Sequence, residues 1–175
     1  MENILVSACL IGVHCRYDGK CQDIEHFNEK LLQLMEKYKL IPVCPEVYGG
    51  LPTPRIPAEI VSGNLKVAHN QSLSCVHENA LSKRNVINKA GVDVTAQFEA
   101  GAKEACYLAK LYNCKYAILK KRSPSCGNGQ IYDGTFSKTL VDGDGITTAA
   151  LKAQGIIVFD EDSCGELLNC DLSGC

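Results

Sequence analysis

Cysteine is unusually frequent in this sequence, at 11 of 175 residues. Secreted domains held by disulfides are usually shorter than this and have small hydrophobic cores. The odd number of cysteines, and a start without the features of an export signal, further disfavour a disulfide framework. Reduced cysteines serve as ligands of metals or clusters, as nucleophiles, or as small apolar core residues. The chemistry of the protein therefore depends on which few of them have a role outside the core.

Three cysteines, Cys9, Cys44 and Cys126, each follow the end of a predicted strand. If these strands are parallel neighbours, the three thiols lie together at one edge of the sheet. Three thiolates that leave one coordination position open can hold a catalytic zinc ion or a cubane iron–sulfur cluster, and ligand type alone does not decide between them. Cys15 and Cys21 are close enough to Cys9 in sequence for either to supply a fourth ligand. We interpret the others as core or incidental thiols: Cys75, Cys106, Cys114, Cys164, Cys170 and Cys175.

Polar residues beside two of these cysteines are candidates for catalysis. Glu46 stands two residues after Cys44, where a carboxylate can act as general base for an attacking water or can simply be a solvated turn residue. Ser123 and Ser125 precede Cys126, and their hydroxyls can bond substrate or cluster sulfur, although serines in turns often bond their own backbone. We predict Glu46, Ser123 and Ser125 as the catalytic residues.

Two loops contain the predicted substrate contacts. Arg16, Tyr17 and Asp18 lie in the loop after the first strand, where Arg16 either anchors an anionic or carbonyl group of a ligand or pairs with Asp18. Arg55 lies in a stretch rich in glycine and proline, residues 49–57, which lacks the Gly-Lys-Ser/Thr ending of a phosphate loop. We interpret this stretch as a rigid wall of the site, with Arg55 as a ligand contact or a surface charge.

The elements that must position these residues alternate between strands and helices. Apolar runs predict strands at residues 4–8, 40–44, 116–120 and 155–159. Helical periodicity and capping residues predict helices at 25–38, 95–112, 146–153 and 163–169, with Asp93 or Thr95 capping the second. A hairpin is predicted from residues 59–61 and 65–67.

This alternation predicts an α/β fold with an open parallel sheet, flanked by helices in a Rossmann-like three-layer arrangement, and a small hairpin insert. Ligands of such sheets bind beyond the carboxyl ends of the strands. The sequence has no internal repeat and no long linker, so we expect a single domain over residues 1–175. Residues 68–91 form a polar insert in this interpretation, and residues 160–175 form a cysteine-rich tail.

Charge and hydropathy exclude several classes of function. The 18 basic and 20 acidic residues give a net charge of −2, which argues against a broad basic face and against intact nucleic acid as the partner. The sequence contains no apolar run near the ~18–20 residues of a membrane-spanning helix. We therefore expect a cytoplasmic protein that acts on a small molecule.

Several motifs in a fixed order resemble the thiouracil desulfidase family. They are residues 4–10 (ILVSACL), 16–19 (RYDG), 44–46 (CPE), 49–55 (GGLPTPR), 91–95, 123–127 (SPSCG) and 134–136 (GTF). The match extends from residue 4 to about residue 159.

The resemblance implies a [4Fe–4S] cluster held by Cys9, Cys44 and Cys126, with a fourth iron that has no protein ligand. It implies hydrolytic desulfuration without net electron transfer, in which 2- or 4-thiouracil or its nucleoside becomes the carbonyl compound and sulfide is released. Glu46, and Ser123 or Ser125, match the catalytic positions of the family. A non-enzymatic iron–sulfur or zinc sensor is the alternative, and it leaves Glu46 without a role. A thiol redox enzyme lacks the expected Cys-x-x-Cys pair.

Overall fold

The computed structural model describes residues 1–22, 28–62 and 84–169. Its strands are β1 (Glu2–Ser7), β2 (Tyr38–Val43), β3 (Ala58–Ser62), β4 (Arg84–Asn88), β5 (Tyr116–Leu119), β6 (Gln130–Tyr132), β7 (Leu140–Asp142) and β8 (Ile157–Asp160). Its helices are α1 (Asn28–Lys37), α2 (Pro45–Tyr48), α3 (Thr95–Leu111), α4 (Ile146–Ala153) and α5 (Glu166–Asn169), and a 3-10 turn spans Ala8–Ile11.

A four-stranded parallel sheet with the order β2-β1-β5-β8 forms the centre of the fold. The chain leaves β1 for β2 on one side and later returns to β5 on the other, which makes the ends of β1 and β5 the switch point where ligands bind in such sheets. Pro42 lies in β2, an edge strand, where a missing backbone N–H is tolerated. The predicted open parallel sheet is confirmed.

Helices cover both faces of the sheet because side chains alternate along each strand. Ile4 and Val6 of β1 belong to a buried cluster with Leu34 of α1 and Leu167 near the chain's end. Leu5, between them in sequence, belongs to the opposite cluster, which is built from α3, α4 and the other strands. These two cores make the three layers that the sequence predicts.

Helix α3 matches its predicted range closely, but the predicted cap is wrong, since the N-cap residue is Val94 and makes no capping bond with its side chain. Asp93, one residue earlier, accepts a hydrogen bond at 2.8 Å from the backbone N–H of Thr95. The end of the first predicted helix is wrong, since Tyr38 begins β2 and its side chain is buried. The first residues of that predicted helix, 25–27, lie outside the described residues. Tyr38 fits the helical spacing as well as it fits a strand, so the sequence pattern does not resolve this boundary.

Two antiparallel hairpins accompany the sheet. β3 pairs with β4, whereas the strand predicted at residues 65–67 lies outside the described residues. β4 shows that the end of the predicted polar insert at 68–91 is a strand, and Val86 within it is fully buried. The second hairpin, β6 with β7, lies between the strand predicted at 116–120 and the helix predicted at 146–153, where the sequence analysis predicts no strand. Each of its strands has only three residues, too few to produce a periodic pattern.

Within the described residues, none of the helices combines the length and the apolar character needed to cross a lipid bilayer.

Candidate functional site

The three cysteines predicted as ligands all come from the carboxyl edge of the sheet. Cys9 lies in the 3-10 turn after β1, Cys44 lies between β2 and α2, and Cys126 lies seven residues after Leu119, the last residue of β5. Since β1 is hydrogen-bonded to both β2 and β5, these are three adjacent strand ends. Cys9 and Cys126 are buried, and Cys44 is partly exposed.

A fourth thiol lies in the same group. Cys15 is buried in the same cluster of side chains as Cys9, and Cys44 packs against that cluster. The Sγ atom of Cys44 also lies 3.7 Å from the carbonyl oxygen of Cys15. Cys21, the other candidate for a fourth ligand, is partly exposed in the same loop. The structure thus distinguishes Cys15 from Cys21 by burial, whereas both are equally possible fourth ligands by their position in the sequence.

The surroundings of Cys15, Cys44 and Cys126 raise the pKa of each of these thiols and so favour the protonated form. The hydrogen bond with the Cys15 thiol, followed by burial, raises the pKa of Cys44. Burial raises the pKa of Cys126 to about 12 against the opposing effect of a hydrogen bond with Ser7. For Cys15, the bond with Cys44 lowers the pKa, but the bond with Cys9 and burial raise it to about 11. A metal or cluster binds thiolates, so each thiol must release its proton on binding.

The donor set fits an iron–sulfur cluster. Among the residues that the structure describes, no three His, Cys, Asp or Glu side chains lie in the compact group that would hold a single metal ion. In a cubane cluster each cysteine binds a different iron, so its ligands stand farther apart than thiolates around one zinc ion. Thiols from three separate strand ends suit that wider spacing.

Glu46 is held in place on the same edge by two polar side chains. Its Oε2 atom accepts a 2.6 Å hydrogen bond from Nε of Arg55, and both side chains of this ion pair are largely buried. Its Oε1 atom accepts a 3.4 Å hydrogen bond from the hydroxyl of Ser123. Arg55, predicted as a ligand contact or a surface charge, therefore has a carboxylate as its direct partner. The arrangement orients one carboxylate beside the cysteine that precedes it.

Ser123 connects Glu46 to the third cysteine. Its Oγ atom accepts hydrogen bonds from the backbone N–H groups of Ser125, at 3.1 Å, and of Cys126, at 3.2 Å. The turn that presents Cys126 is thus formed by a side chain that also bonds the carboxylate. The hydroxyl of Ser125, by contrast, is fully buried and bonds the hydroxyl of Thr147 at 2.9 Å.

Helix α4 anchors the loop of Cys126, here called the SPSC loop and comprising residues 123–126. The backbone N–H of Thr147 donates to the carbonyl of Ser125 at 2.9 Å, and the hydroxyl of Thr148 donates to the carbonyl of Cys126 at 2.8 Å. The backbone N–H groups at a helix N-terminus have no intrahelical partner, and the loop carbonyls satisfy them here. The SPSC loop and α4 therefore stabilise each other.

The loop of Arg16, Tyr17 and Asp18 borders the site and is more exposed. Arg16 forms a two-contact ion pair with Asp18 at 3.2 and 3.3 Å, and its guanidinium lies 5.9 Å from the centre of the Tyr17 ring. Desolvation acts to raise the pKa of Asp18, but backbone bonds and the Arg16 guanidinium outweigh it and lower that pKa. The carbonyl of Tyr17 accepts a 2.8 Å hydrogen bond from the backbone N–H of Arg55, which joins this loop to the wall of the site.

A cavity of ≈ 270 Å³ opens beside the ion pair of Glu46 and Arg55. Apart from this pair and Asn88, its walls are apolar side chains of the 51–56 stretch, β3 and the start of α3. It has room for a small planar ring.

Comparison with known proteins agrees with this geometry. The model of a family described as 2-thiouracil desulfurase matches residues 4–163 of the chain. The chain belongs to the 2-thiouracil desulfurase family. The uncharacterized protein YbbK of Bacillus subtilis (strain 168) is 38% identical over 165 residues, which are 94% of this chain and 99% of that protein. A solved structure described as [4Fe-4S]-dependent thiouracil desulfidase TudS is 41% identical, covers 95% of each chain and superimposes with a TM-score of 0.76.

Membership of the 2-thiouracil desulfurase family confirms the resemblance inferred from the motifs. In this member, the sequence analysis missed three side chains that position the site. Ser7 is buried, accepts a 2.9 Å bond from the backbone N–H of Lys120, and acts to lower the pKa of the Cys126 thiol against the effect of burial. Thr147 and Thr148 are also buried. Their position in the first turn of a predicted helix was the available signal, but their partners lie 22 residues away in the chain.

A pair of glycines also contributes to the site of this desulfurase-family protein. A Cβ atom on Gly101 of α3 would lie 1.8 Å from the carbonyl oxygen of Pro45, and one on Gly49 would lie 1.9 Å from that of Gln97. The backbones of α2 and α3 approach this closely only because both positions lack a side chain. Their contact fixes α2, the helix that presents Glu46.

Proposed function

We propose that this protein is an iron–sulfur-dependent desulfidase that converts a thiolated pyrimidine and water into the carbonyl compound and sulfide. The observation that carries the proposal is the joint placement of three strand-end thiols and the network of Glu46, Arg55 and Ser123 at one sheet edge. Support comes from the 41% identical protein whose printed description is a [4Fe-4S]-dependent thiouracil desulfidase. Family membership agrees with this reaction class.

In this proposal Cys9, Cys44 and Cys126 hold a [4Fe–4S] cluster in which one iron has no permanent protein ligand. When bound, the cluster supplies a soft Lewis acid with affinity for the sulfur of a thiocarbonyl group. The cysteines that the structure describes are all free thiols, which suits cluster binding in the reducing cytoplasm.

Glu46 is the general base. Its carboxylate takes a proton from the water that attacks the thiocarbonyl carbon of the substrate. Arg55 holds one carboxylate oxygen, and the Ser123 hydroxyl bonds the other, so the base keeps one orientation during the reaction. One water replaces one sulfur as the carbon–sulfur bond breaks, and no electron is transferred. Ser125 acts by supporting the SPSC loop, since its hydroxyl already bonds Thr147.

The substrate is a free base or a nucleoside. The ≈ 270 Å³ cavity, which includes Glu46 and Arg55 in its lining, suits a pyrimidine ring. The loop of Arg16, Tyr17 and Asp18 is joined to Arg55 by a backbone hydrogen bond, and the exposed Tyr17 ring offers a surface for stacking. The net charge of −2 disfavours intact nucleic acid.

Anaerobic reconstitution with iron and sulfide tests the proposal. We expect about four irons and four sulfides per chain, as a [4Fe–4S] cluster requires, together with its broad visible absorbance. The reconstituted protein is then mixed with 4-thiouracil, whose own absorbance reports loss of sulfur, and uracil and sulfide are measured. A cluster without any loss of sulfur from 2- or 4-thiouracil would contradict this substrate class. Stoichiometric zinc in place of a cluster would favour the sensor instead.

A further inference from the structure

Among the described residues that line the cavity beside Glu46 and Arg55, Asn88 is the one polar side chain that the proposed reaction does not use. It is the last residue of β4 and is only 9% exposed. Ala58, directly opposite it in the antiparallel register of β3 and β4, lines the same cavity. Directly opposed residues present their side chains on the same face of a hairpin, so this face borders the cavity.

Two backbone hydrogen bonds fix the orientation of the Asn88 amide. Its Oδ1 atom accepts from the N–H groups of Ala90 and Val92, both at 3.0 Å, in the turn after β4. The amide nitrogen is itself a donor and could not take this position, so the two N–H groups identify the oxygen. The Nδ2 atom lies on the other branch of the amide and is directed away from these two donors.

The Nδ2 atom of Asn88 has no hydrogen-bond partner among the residues that the structure describes, since both bonds of this side chain are made by Oδ1. Within the same residues, every side-chain nitrogen or oxygen that is fully sealed from solvent has a partner. Nδ2 therefore reaches open space, and the cavity is the open space that Asn88 borders. A polar group in a mainly apolar wall orients the ligand that brings its partner.

We propose that Asn88 determines substrate specificity, because its Nδ2 atom donates a hydrogen bond to the ring carbonyl that remains in a thiouracil. This inference rests on the proposed function, in which Glu46 activates the water that attacks the thiocarbonyl carbon. The two exocyclic groups of a uracil ring flank the same ring nitrogen, so each has the same relation to the other. One donor can therefore serve 2-thiouracil and 4-thiouracil alike.

The same donor disfavours a cytosine-type ring. 2-Thiocytosine has an amino group where 2-thiouracil has its carbonyl, and two NH2 groups that face each other form no hydrogen bond. We expect the wild-type protein to prefer 2-thiouracil over 2-thiocytosine by about 10–100-fold in kcat/KM, the range for a buried donor left without an acceptor.

Asn88→Asp tests the inference by exchanging the donor for an acceptor. One carboxylate oxygen can keep the two bonds to the turn, and the other can accept from the amino group of 2-thiocytosine. Asn113→Asp makes the same change of charge at an exposed residue just before β5, at the opposite edge of the sheet, and is the matched control. Each protein is reconstituted anaerobically, analysed for iron, and assayed for sulfide release from 2-thiouracil, 4-thiouracil and 2-thiocytosine. Calorimetric titration with the products, uracil and cytosine, measures the same preference without turnover.

We expect Asn88→Asp to lower kcat/KM for both thiouracils by about 10–100-fold and to raise it several-fold for 2-thiocytosine. The affinities for uracil and cytosine should shift in the same directions, with iron content unchanged. Asn113→Asp should keep the wild-type preference. If Asn88→Asp does not fold, Asn88→Ser takes its place, because a hydroxyl can still accept from the turn. Its preference between the two rings should fall to near parity.

Three results would count against the inference. An unchanged preference in the Asn88 variant, in turnover and in product binding, would restrict this residue to its turn and leave the proposed function intact. Equal turnover of 2-thiouracil and 2-thiocytosine by the wild-type protein would also overturn the inference alone. A wild-type protein that holds its cluster but releases sulfide from none of the three compounds would overturn the proposed function and this inference together.

Discussion

The two loops that are bonded to the Glu46–Arg55 ion pair are held in different ways. The SPSC loop is anchored to α4 by buried side chains and by backbone carbonyls that satisfy the first turn of the helix. The loop of Arg16, Tyr17 and Asp18 is partly exposed, and its polar side chains bond mainly one another. Its link to the wall of the site is a backbone bond to Arg55.

This difference matches the tasks that we propose for the two loops. A cofactor ligand has to stay in one position, and burial with satisfied hydrogen bonds gives it that rigidity. A loop that meets a small molecule has to let it enter and leave, which favours surface segments of lower local stability. The comparison therefore predicts that changes in the SPSC loop affect the cofactor and the fold, and that changes in the Arg16 loop affect substrate binding alone.

The largest effect is expected from Cys126→Ser, which removes the buried thiol of the rigid loop. We expect loss of the cluster and of all desulfidase activity, because two remaining strand-end thiols cannot hold a cubane cluster stably. Iron analysis and the 4-thiouracil assay measure both. Cys106→Ser is the control and should change neither. Equal iron contents in the two variants would mean that Cys126 is not a ligand.

Glu46→Gln tests the residue that the SPSC loop helps to hold. A glutamine keeps the hydrogen-bonding shape but cannot accept the proton of water, so kcat should fall by ~10²–10⁴-fold. Iron content should stay unchanged, which separates a catalytic role from a role in cofactor binding. Glu36→Gln changes an exposed glutamate of α1 and serves as the control for charge. A kcat within a factor of two of wild type would exclude Glu46 as the base.

Thr147→Val tests how much the anchoring of the SPSC loop to α4 contributes to the stability of the protein. It leaves the buried Ser125 hydroxyl without its partner, at a cost of about 1–3 kcal/mol in the free energy of unfolding. Thermal unfolding of the apoprotein should show this as a fall of ~2–4 °C in Tm for each kcal/mol. The double variant Ser125→Ala with Thr147→Val removes both polar partners and should be less destabilised than the sum of the single variants. Strict additivity would show that the two hydroxyls are not coupled.

The smallest effect is expected from Arg16→Ala, in the exposed loop. An exposed ion pair adds about 0–1 kcal/mol to stability, so Tm should hardly change. Loss of the loop's order should raise KM for 4-thiouracil by less than ~10-fold, or ~1.4 kcal/mol, with iron content unaffected. Loss of iron in Arg16→Ala would contradict the prediction that this loop affects substrate binding alone.

Much of the fold follows from local sequence patterns. The apolar runs of the sheet and the periodicity of α3 each lie within a short segment, so the parallel sheet and its helices are predictable. β4, β6 and β7 are not predictable, because strands of three to five residues with at most two buried side chains have no clear period.

Part of the candidate site is likewise predictable from the sequence. Sequence alone determined that Cys9, Cys44 and Cys126 follow strand ends, and that Glu46 and Ser123 stand beside two of them. Each of these relations depends only on the order of residues within one short segment, so the sequence shows it directly.

Tertiary structure decided the rest. Three features depend on how separate segments pack: the pairing of Glu46 with Arg55, the approach of α2 to α3 at Gly101, and the approach of the Cys15 carbonyl to the Cys44 thiol. Thr147 reaches the SPSC loop only because α4 begins where that loop ends in space. Contacts of this kind leave no local pattern, since a side chain's partner far along the chain is set by the fold of everything between them.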